Sequence, residues 1–227
     1  MKYRFLRFDS VASTMPLSHE FAMQGQREGL VVLADEQTAG RGRAGHTWFS
    51  PRGQSLYLSV LLRPTLPATR LNWLTMIGAL AIIDTIQALM PPTQLPAPRP
   101  SIKWFNDVNL NGRKVSGVLV ETAWLGDAID YAVLGIGLNI NTQFADAPAD
   151  VQARATSLAH EFGREFDRET ALAQLLQHFA IRYARLTQPD GDPIHDYAHW
   201  LDTIGRPVKI AFASGDLHGI AERIDPD

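Results

Sequence analysis

The chain has 227 residues, enough for one good-sized domain and a small second one. It is 45% hydrophobic and 20% charged, with a net charge of −3, a pI near 6.2 and no cysteine. Disulfides, cysteine-ligated metals and cysteine nucleophiles are thereby excluded, and the charge argues against non-specific nucleic-acid binding as the main task.

Residues 1–10, MKYRFLRFDS, break their apolar run with Arg4, Arg7 and Asp9, so they do not read as a signal peptide. Residues 3–8 read instead as a short strand. In DSVASTMPLSHEFAMQGQREG, Ser13 or Thr14 caps a helix, Pro16 suits its first turn, Leu17 and Phe21 share a face, and Gly25 or Gly29 ends it. LVVLADEQ (30–37) reads as a buried strand, and QSLYLSVLLRP as another, stopped by Pro64.

Between these strands lies AGRGRAGHTWFSP, which matches G-x-G-x-x-G at Gly40, Gly42 and Gly45. A dinucleotide fingerprint opens a helix and needs an acidic residue about 20 positions on. Here the loop joins strand to strand, and no Asp or Glu occurs from Gln37 to Ile83, so the dinucleotide reading fails on both counts. The same acid-free stretch carries Arg41, Arg43, Arg52, Arg63 and Arg70. It reads either as a local positive field for a small anion or as an uneven solvated surface.

Residues 69–90 repeat apolar side chains at helical spacing and predict a long amphipathic helix. Its apolar run 76–83 is stopped by Asp84 and is too short to span a membrane, so the expectation is a cytoplasmic protein with no membrane partner. PPTQLPAPRP (91–100), with five prolines in ten residues, is a loop. SIKWFNDVNLNGRKVSGVLVETAW reads as strand, turn, strand, with Asn109 to Arg113 as the hairpin loop around Asn111-Gly112. AIDYAVLGIGLNIN is a further buried strand, residues 167–186 a second long helix, and residues near 191–203 a shorter one. His195 and His199 in HDYAH have the spacing of a zinc-binding helix but no evident third ligand nearby, so they read as surface histidines. After Gly205 the pattern becomes a hairpin around Ser214-Gly215-Asp216, followed by a turn signal at Asp225-Pro226-Asp227. Two strands alone are marginal in water, which reads as a truncated small β domain.

Four polar segments flank these apolar elements: Ser13-Thr14, Gln37 with the Gly/Arg loop and Trp48, Lys103-Trp104 with Asn106-Asp107, and Gly135 to Asn141. A lysine on a strand, such as Lys103, either meets an anion or snorkels on a wet sheet face. Glycines let backbone approach a ligand closely, and two arginines one residue apart supply bidentate donors for a carboxylate or phosphate. Trp48 offers a flat face on which a base could stack, or packs on the core.

Taken in order, S-T, E-Q-T-A-G-R-G-R-x-G-x-x-W, K-W-x-N-D, G-R-K-x-x-G-V-L-V-E and G-I-G-L-N-I-N resemble the catalytic domain of biotin protein ligases, of the monofunctional type without an N-terminal DNA-binding domain. The resemblance implies an α+β fold: a mixed, largely antiparallel sheet with helices packed on one face, as in class II aminoacyl-tRNA synthetases. It covers residues 1–204 as a biotin- and ATP-binding catalytic domain, with residues 205–227 as the start of an SH3-like β domain, apparently incomplete. The implied reaction forms biotinyl-5′-AMP from biotin and Mg-ATP, then biotinylates one lysine of the biotin carboxyl carrier domain of acetyl-CoA carboxylase.

By the same resemblance, Lys103 and Arg43 are catalytic. Ser13, Thr14, Gln37, Gly40, Arg41, Gly42, Arg43 and Lys103 contact biotin, and Arg43, Trp48, Asn139 and Lys114 contact the nucleotide. Mg²⁺ is expected to bind mainly through phosphates and water, with Asp107 either contributing or capping a turn. The chain departs from the family pattern at Met15 (usually Asn), at Phe105 (usually Pro), and at His46, where some members carry a third basic loop residue that would make loop closure pH-sensitive here. DNA binding is not expected, and a homodimer is left open. The competing readings are a lipoate or octanoate ligase, a non-catalytic biotin-binding protein, and a nucleic-acid-binding module.

Overall fold

Seven strands join in one sheet: β1 (Arg4–Phe8), β2 (Leu30–Ala34), β3 (Leu56–Leu62), β4 (Pro100–Lys103), β5 (Asp107–Leu110), β6 (Arg113–Leu125) and β7 (Ala128–Leu138). Their spatial order is β1-β2-β3-β7-β6-β5-β4; β1 and β2 run parallel and every other pair is antiparallel. In this computed structural model the described residues are 1–90, 97–188, 190–212 and 215–225. Most of the proline-rich loop, Ser214 of the last hairpin and the Pro226-Asp227 turn signal lie outside them.

Strand alternation assigns the two faces. In β3, Leu56, Leu58, Val60 and Leu62 join the main core, while Leu61 joins a second, smaller cluster on the opposite face. The main core is closed by α2 (Asn72–Leu89) and α5 (Arg168–Arg185), which pack on each other and on the sheet. Lying between sheet and α5, α2 is buried on nearly every side, which explains a composition apolar enough for a membrane span. Fully burying side chains such as Ile77, Leu80 and Ile82 contributes roughly 1.5–3 kcal/mol each. The one carboxylate of α2, Asp84, takes two guanidinium bonds from Arg182 of α5 at 2.6 and 2.9 Å, and that arginine also reaches Asp196 of α6 (Ile194–Trp200).

On the other face, α1 (Thr14–Met23) sets Met15 and Ala22 against Leu30, Val32, Leu61, Tyr131 and Val133. The fold is therefore the expected mixed, largely antiparallel sheet, with the long helices on one face and α1 added on the other. Ser13 caps α1, its hydroxyl accepting the Met15 N–H. The expected Asn-Gly turn is present, with Asn111 at φ 52° and Gly112 at φ 79°.

Three local expectations change. The strand read from Ser101 to Val108 is broken at 104–106 into β4 and β5, because Asn106 turns inward: its amide donates to the Val118 carbonyl (2.8 Å) and its own carbonyl accepts the Val118 N–H (2.9 Å). The hairpin loop shrinks to Asn111-Gly112, with Asn109, Leu110 and Arg113 in strands. Two short helices, α3 (Ala149–Arg154) and α4 (Leu158–Phe162), occupy a stretch to which no element was assigned. A separate antiparallel pair, β8 (Pro207–Phe212) and β9 (Gly215–Ile220), follows α6.

Candidate active site

On the α1 face, helix α1 leaves one part of the sheet uncovered, and there the strands carry glycine. Alternation puts Gly117 and Leu119 of β6 and Gly135 and Gly137 of β7 on this face, with Gly117 opposite Gly137 and Leu119 opposite Gly135. The missing side chains leave a cavity of about 500 Å³, walled by the start of α1, the Gly/Arg loop, the β4–β5 turn and α3. That volume is in the range of small-molecule sites.

The glycines also fix neighbouring side chains. A Cβ at Gly137 would lie 2.4 Å from Cε2 of Trp48, one at Gly117 3.0 Å from its Cζ3, and one at Gly135 2.6 Å from Sδ of Met15. Trp48 therefore lies against the Gly117–Gly137 pair, and Met15, the first departure from the family pattern, fills the space over Gly135. The Lys114 ammonium is 5.0 Å from the Trp48 ring centroid and 2.7 Å from the Asp107 carboxylate.

A chain of polar side chains runs along one wall. Ser59 of β3 shares a 2.7 Å hydrogen bond with the Thr14 hydroxyl; Gln37 accepts the Thr14 N–H at 2.9 Å and donates to Ser50 at 3.2 Å; Ser50 donates to the Trp48 carbonyl at 3.0 Å. Buried hydrogen-bonding groups need such partners, and here the chain ties the sheet, the cap of α1 and the loop into one wall.

The lining is also cationic. Arg41, Arg43, Lys103, Lys114 and Arg154 line the cavity, against the single carboxylate of Asp107 among the described residues. Arg41 pairs with Glu121 at 2.9 Å, a carboxylate that also holds His19 at 2.9 Å, and Arg154 pairs with Asp150 at 2.7 Å. Arg43 and Lys103 have no ion-pair partner among the described residues. Two unpaired cations at the edge of a polar cavity can bring together two anionic groups whose repulsion would otherwise keep them apart.

Of the residues singled out from the sequence, Ser13, Thr14, Gln37, Arg41, Gly42, Arg43, Trp48, Lys103, Lys114 and Asn139 all line this cavity, as do Met15, His46 and Asp107. Asn139 is buried at the end of β7, its amide donating to the Thr156 carbonyl at 3.0 Å. Gly40 is set one step back: a Cβ there would lie 2.5 Å from the Trp48 carbonyl, so its role is to let the two sides of the loop close. His199 lies far along the chain on α6, packed edge-on against Trp200, and His195 borders a different hollow.

The sequence reading missed Ser50, Ser59, His19, Glu121, Arg154 and Tyr197, and it took Phe105 only as a departure from the family pattern. An isolated serine in the apolar strand LYLSVLL is a signal for Ser59, and the final Glu of G-V-L-V-E one for Glu121. Tyr197 carries no local signal. It is fully buried, its hydroxyl donates to the Phe105 carbonyl, and burial beside Asp107 and Asp202 pushes its pKa well up, so the donor proton stays in place.

A sequence model of the biotin/lipoate A/B protein ligase family matches residues 7–139. The chain is 33% identical over 220 residues to the bifunctional ligase/repressor BirA of Bacillus spizizenii, covering 96% of this chain and 66% of that protein. It is 37% identical over 202 residues to the biotin–[acetyl-CoA-carboxylase] ligase of Paracoccus denitrificans, covering 86% of this chain and 80% of that one. Among solved structures, the Aquifex aeolicus biotin protein ligase in complex with biotin and ATP superposes with a TM-score of 0.79 at 29% identity, over 96% of this chain and 86% of its own. Family match, shared fold and a cationic cavity built from the quoted motifs agree: the chain belongs to the biotin/lipoate A/B protein ligase family, within its biotin protein ligase branch.

Proposed function

We propose that this ligase condenses biotin with ATP to biotinyl-5′-AMP and passes the biotinyl group to one lysine of a biotin carboxyl carrier domain of acetyl-CoA carboxylase. The observation that carries the proposal is a cavity lined by five cations and one carboxylate among the described residues, two of those cations, Arg43 and Lys103, having no ion-pair partner there, together with a neutral polar chain. Biotin joins an uncharged polar head to a carboxylate, and ATP brings a polyanion; the neutral polar chain and the unpaired cations suit those needs.

In the first step a biotin carboxylate oxygen attacks the α-phosphorus and pyrophosphate leaves. Lys103 and Arg43, the two cavity-lining cations for which the described residues supply no ion-pair partner, neutralise the approaching carboxylate and the five-coordinate phosphorus. The polar chain at Ser13, Thr14 and Gln37 orients the head group, with Arg41 and Gly42 beside it. Trp48, held against the glycine floor, offers its ring to adenine, and Asn139 and Lys114 border the nucleotide. In the second step the acceptor amine attacks the mixed-anhydride carbonyl, AMP leaves, and the amine proton passes to solvent.

Mg²⁺ would be supplied with ATP. Among the described residues no cluster of three or more His, Cys, Asp or Glu could cage a metal, and Asp107 is the single cavity carboxylate. Asp107, now paired with Lys114, is the residue that would hold the ion alongside the phosphates and water, and the ion would supply charge neutralisation on the leaving pyrophosphate. Residues 1–204 are taken as the catalytic domain and residues 205–227 as part of a small SH3-like domain.

The test is to incubate the chain with a biotin carboxyl carrier domain, ATP, Mg²⁺ and either biotin, lipoate or octanoate. A carrier mass gain with biotin alone supports the proposal; a gain with lipoate or octanoate alone assigns the other branch of the family.

A further inference from the structure

The loop that carries the cations is a narrow ladder with a strained tip. Trp48 N–H donates to the Gly40 carbonyl at 2.8 Å, Gly42 N–H to the His46 carbonyl at 2.7 Å, and Arg41 bridges Thr47. At the tip, residues 43–45 make one tight turn with Ala44 at φ 53° and Gly45 at φ 78°. Left-handed backbone at a residue with a side chain persists only where surrounding contacts support it.

One such contact crosses the cavity mouth. The Arg43 guanidinium lies over the Phe105 ring, 4.7 Å from its centroid. Phe105 is itself fixed: its carbonyl accepts the Tyr197 hydroxyl, its ring packs 5.8 Å from that of Trp104, and the next residue, Asn106, is bonded twice to Val118. The seat therefore belongs to the sheet and α6, and the arginine reaches it from the loop. A guanidinium laid on a ring keeps its in-plane N–H groups for an anion. Lys103, the other cavity-lining cation for which the described residues supply no ion-pair partner, stands two positions before the seat.

We propose that Phe105 is a positioning residue for Arg43: its ring holds the guanidinium across the cavity mouth before any anion arrives, so that ATP meets a cation already in place. This rests on reading the cavity as an adenylation site. It also gives a purpose to the residue that stands where the family pattern has proline.

Two measurements on the full chain test it. Trypsin can cut after Arg43 only when the guanidinium leaves the ring. Phe105→Leu should raise the ligand-free cutting rate after Arg43 about two- to five-fold, the equilibrium equivalent of an exposed cation–π contact. Phe105→Tyr, which keeps the ring face, should lower it again. An unchanged rate in Phe105→Leu overturns the proposal, and so does an equal increase at every arginine, which marks general loosening. In the second measurement, Phe105→Leu should raise KM for ATP by a similar factor, and it should add nothing in an Arg43→Gln background. Equal losses in both backgrounds contradict a role through Arg43. A wild-type chain that releases no pyrophosphate sinks the adenylation reading alone, because the cutting rates still decide whether the seat exists.

Discussion

A methyl group at Gly137 would lie 2.4 Å from the Trp48 indole, and the strand beneath gives it no room to retreat. Gly137→Ala should therefore push the ring off the floor and raise KM for ATP about ten-fold or more, the scale of overpacking a tight contact, with a change in tryptophan emission. Wild-type KM in this variant would show that the ring position is irrelevant to the nucleotide. At this scale the lining of the cavity was legible where a residue type is costly in its place: cations in an acid-free loop, a lysine on a strand, a tryptophan among glycines. The positioning contacts were not. Thr14 meets Ser59 across 45 positions, and Tyr197 meets Phe105 across 92, so nothing near either residue announces its partner.

The β4–β5 turn depends on α6 in the same way. Tyr197→Phe removes the hydroxyl that serves the Phe105 carbonyl and should lower stability by about 1 kcal/mol in urea unfolding, the usual net worth of one hydrogen bond. A variant as stable as wild type would mean the bond does not support the turn. Helix α5 begins at Asp167, whose carboxylate accepts the Thr170 hydroxyl and N–H at 2.6 and 2.8 Å. Those bonds hold its carboxyl below the usual carboxylate range, and Arg7 does the same for Glu169. Because both folded values are depressed, their stabilising contribution is complete above the unfolded carboxylate pKa and is lost as pH falls through the lower folded value. Asp167→Asn keeps a good cap but cannot titrate there. Its Tm should fall less steeply than wild type between about pH 5 and pH 2; parallel curves would contradict the assignment. Elements with long periodic patterns were legible in sequence. Helices α3 and α4, of six and five residues, are too short to show a period, and the break between β4 and β5 is imposed by Val118 from a neighbouring strand.

Across the whole molecule, one face of the sheet is closed by α2 and α5 and the other is left partly open, floored with glycine. The chain carries a net charge of −3, yet its cavity gathers five cationic side chains around one carboxylate. Such a contrast is the electrostatic arrangement that the proposed binding of small anions requires. The open face was only partly legible: the glycines of G-I-G-L were visible in sequence, but that Gly117 and Gly137 face each other beneath Trp48 follows from strand register. The central claim, that this cavity joins a carboxylate to ATP, is tested most directly by pyrophosphate release in the absence of any carrier. The wild-type chain with ATP and Mg²⁺ should release pyrophosphate only when biotin is added, and Lys103→Gln should lower that rate by about 10²-fold or more, the effect of removing one transition-state charge partner. No biotin-dependent pyrophosphate from the wild-type chain, or an undiminished rate in Lys103→Gln, would contradict it.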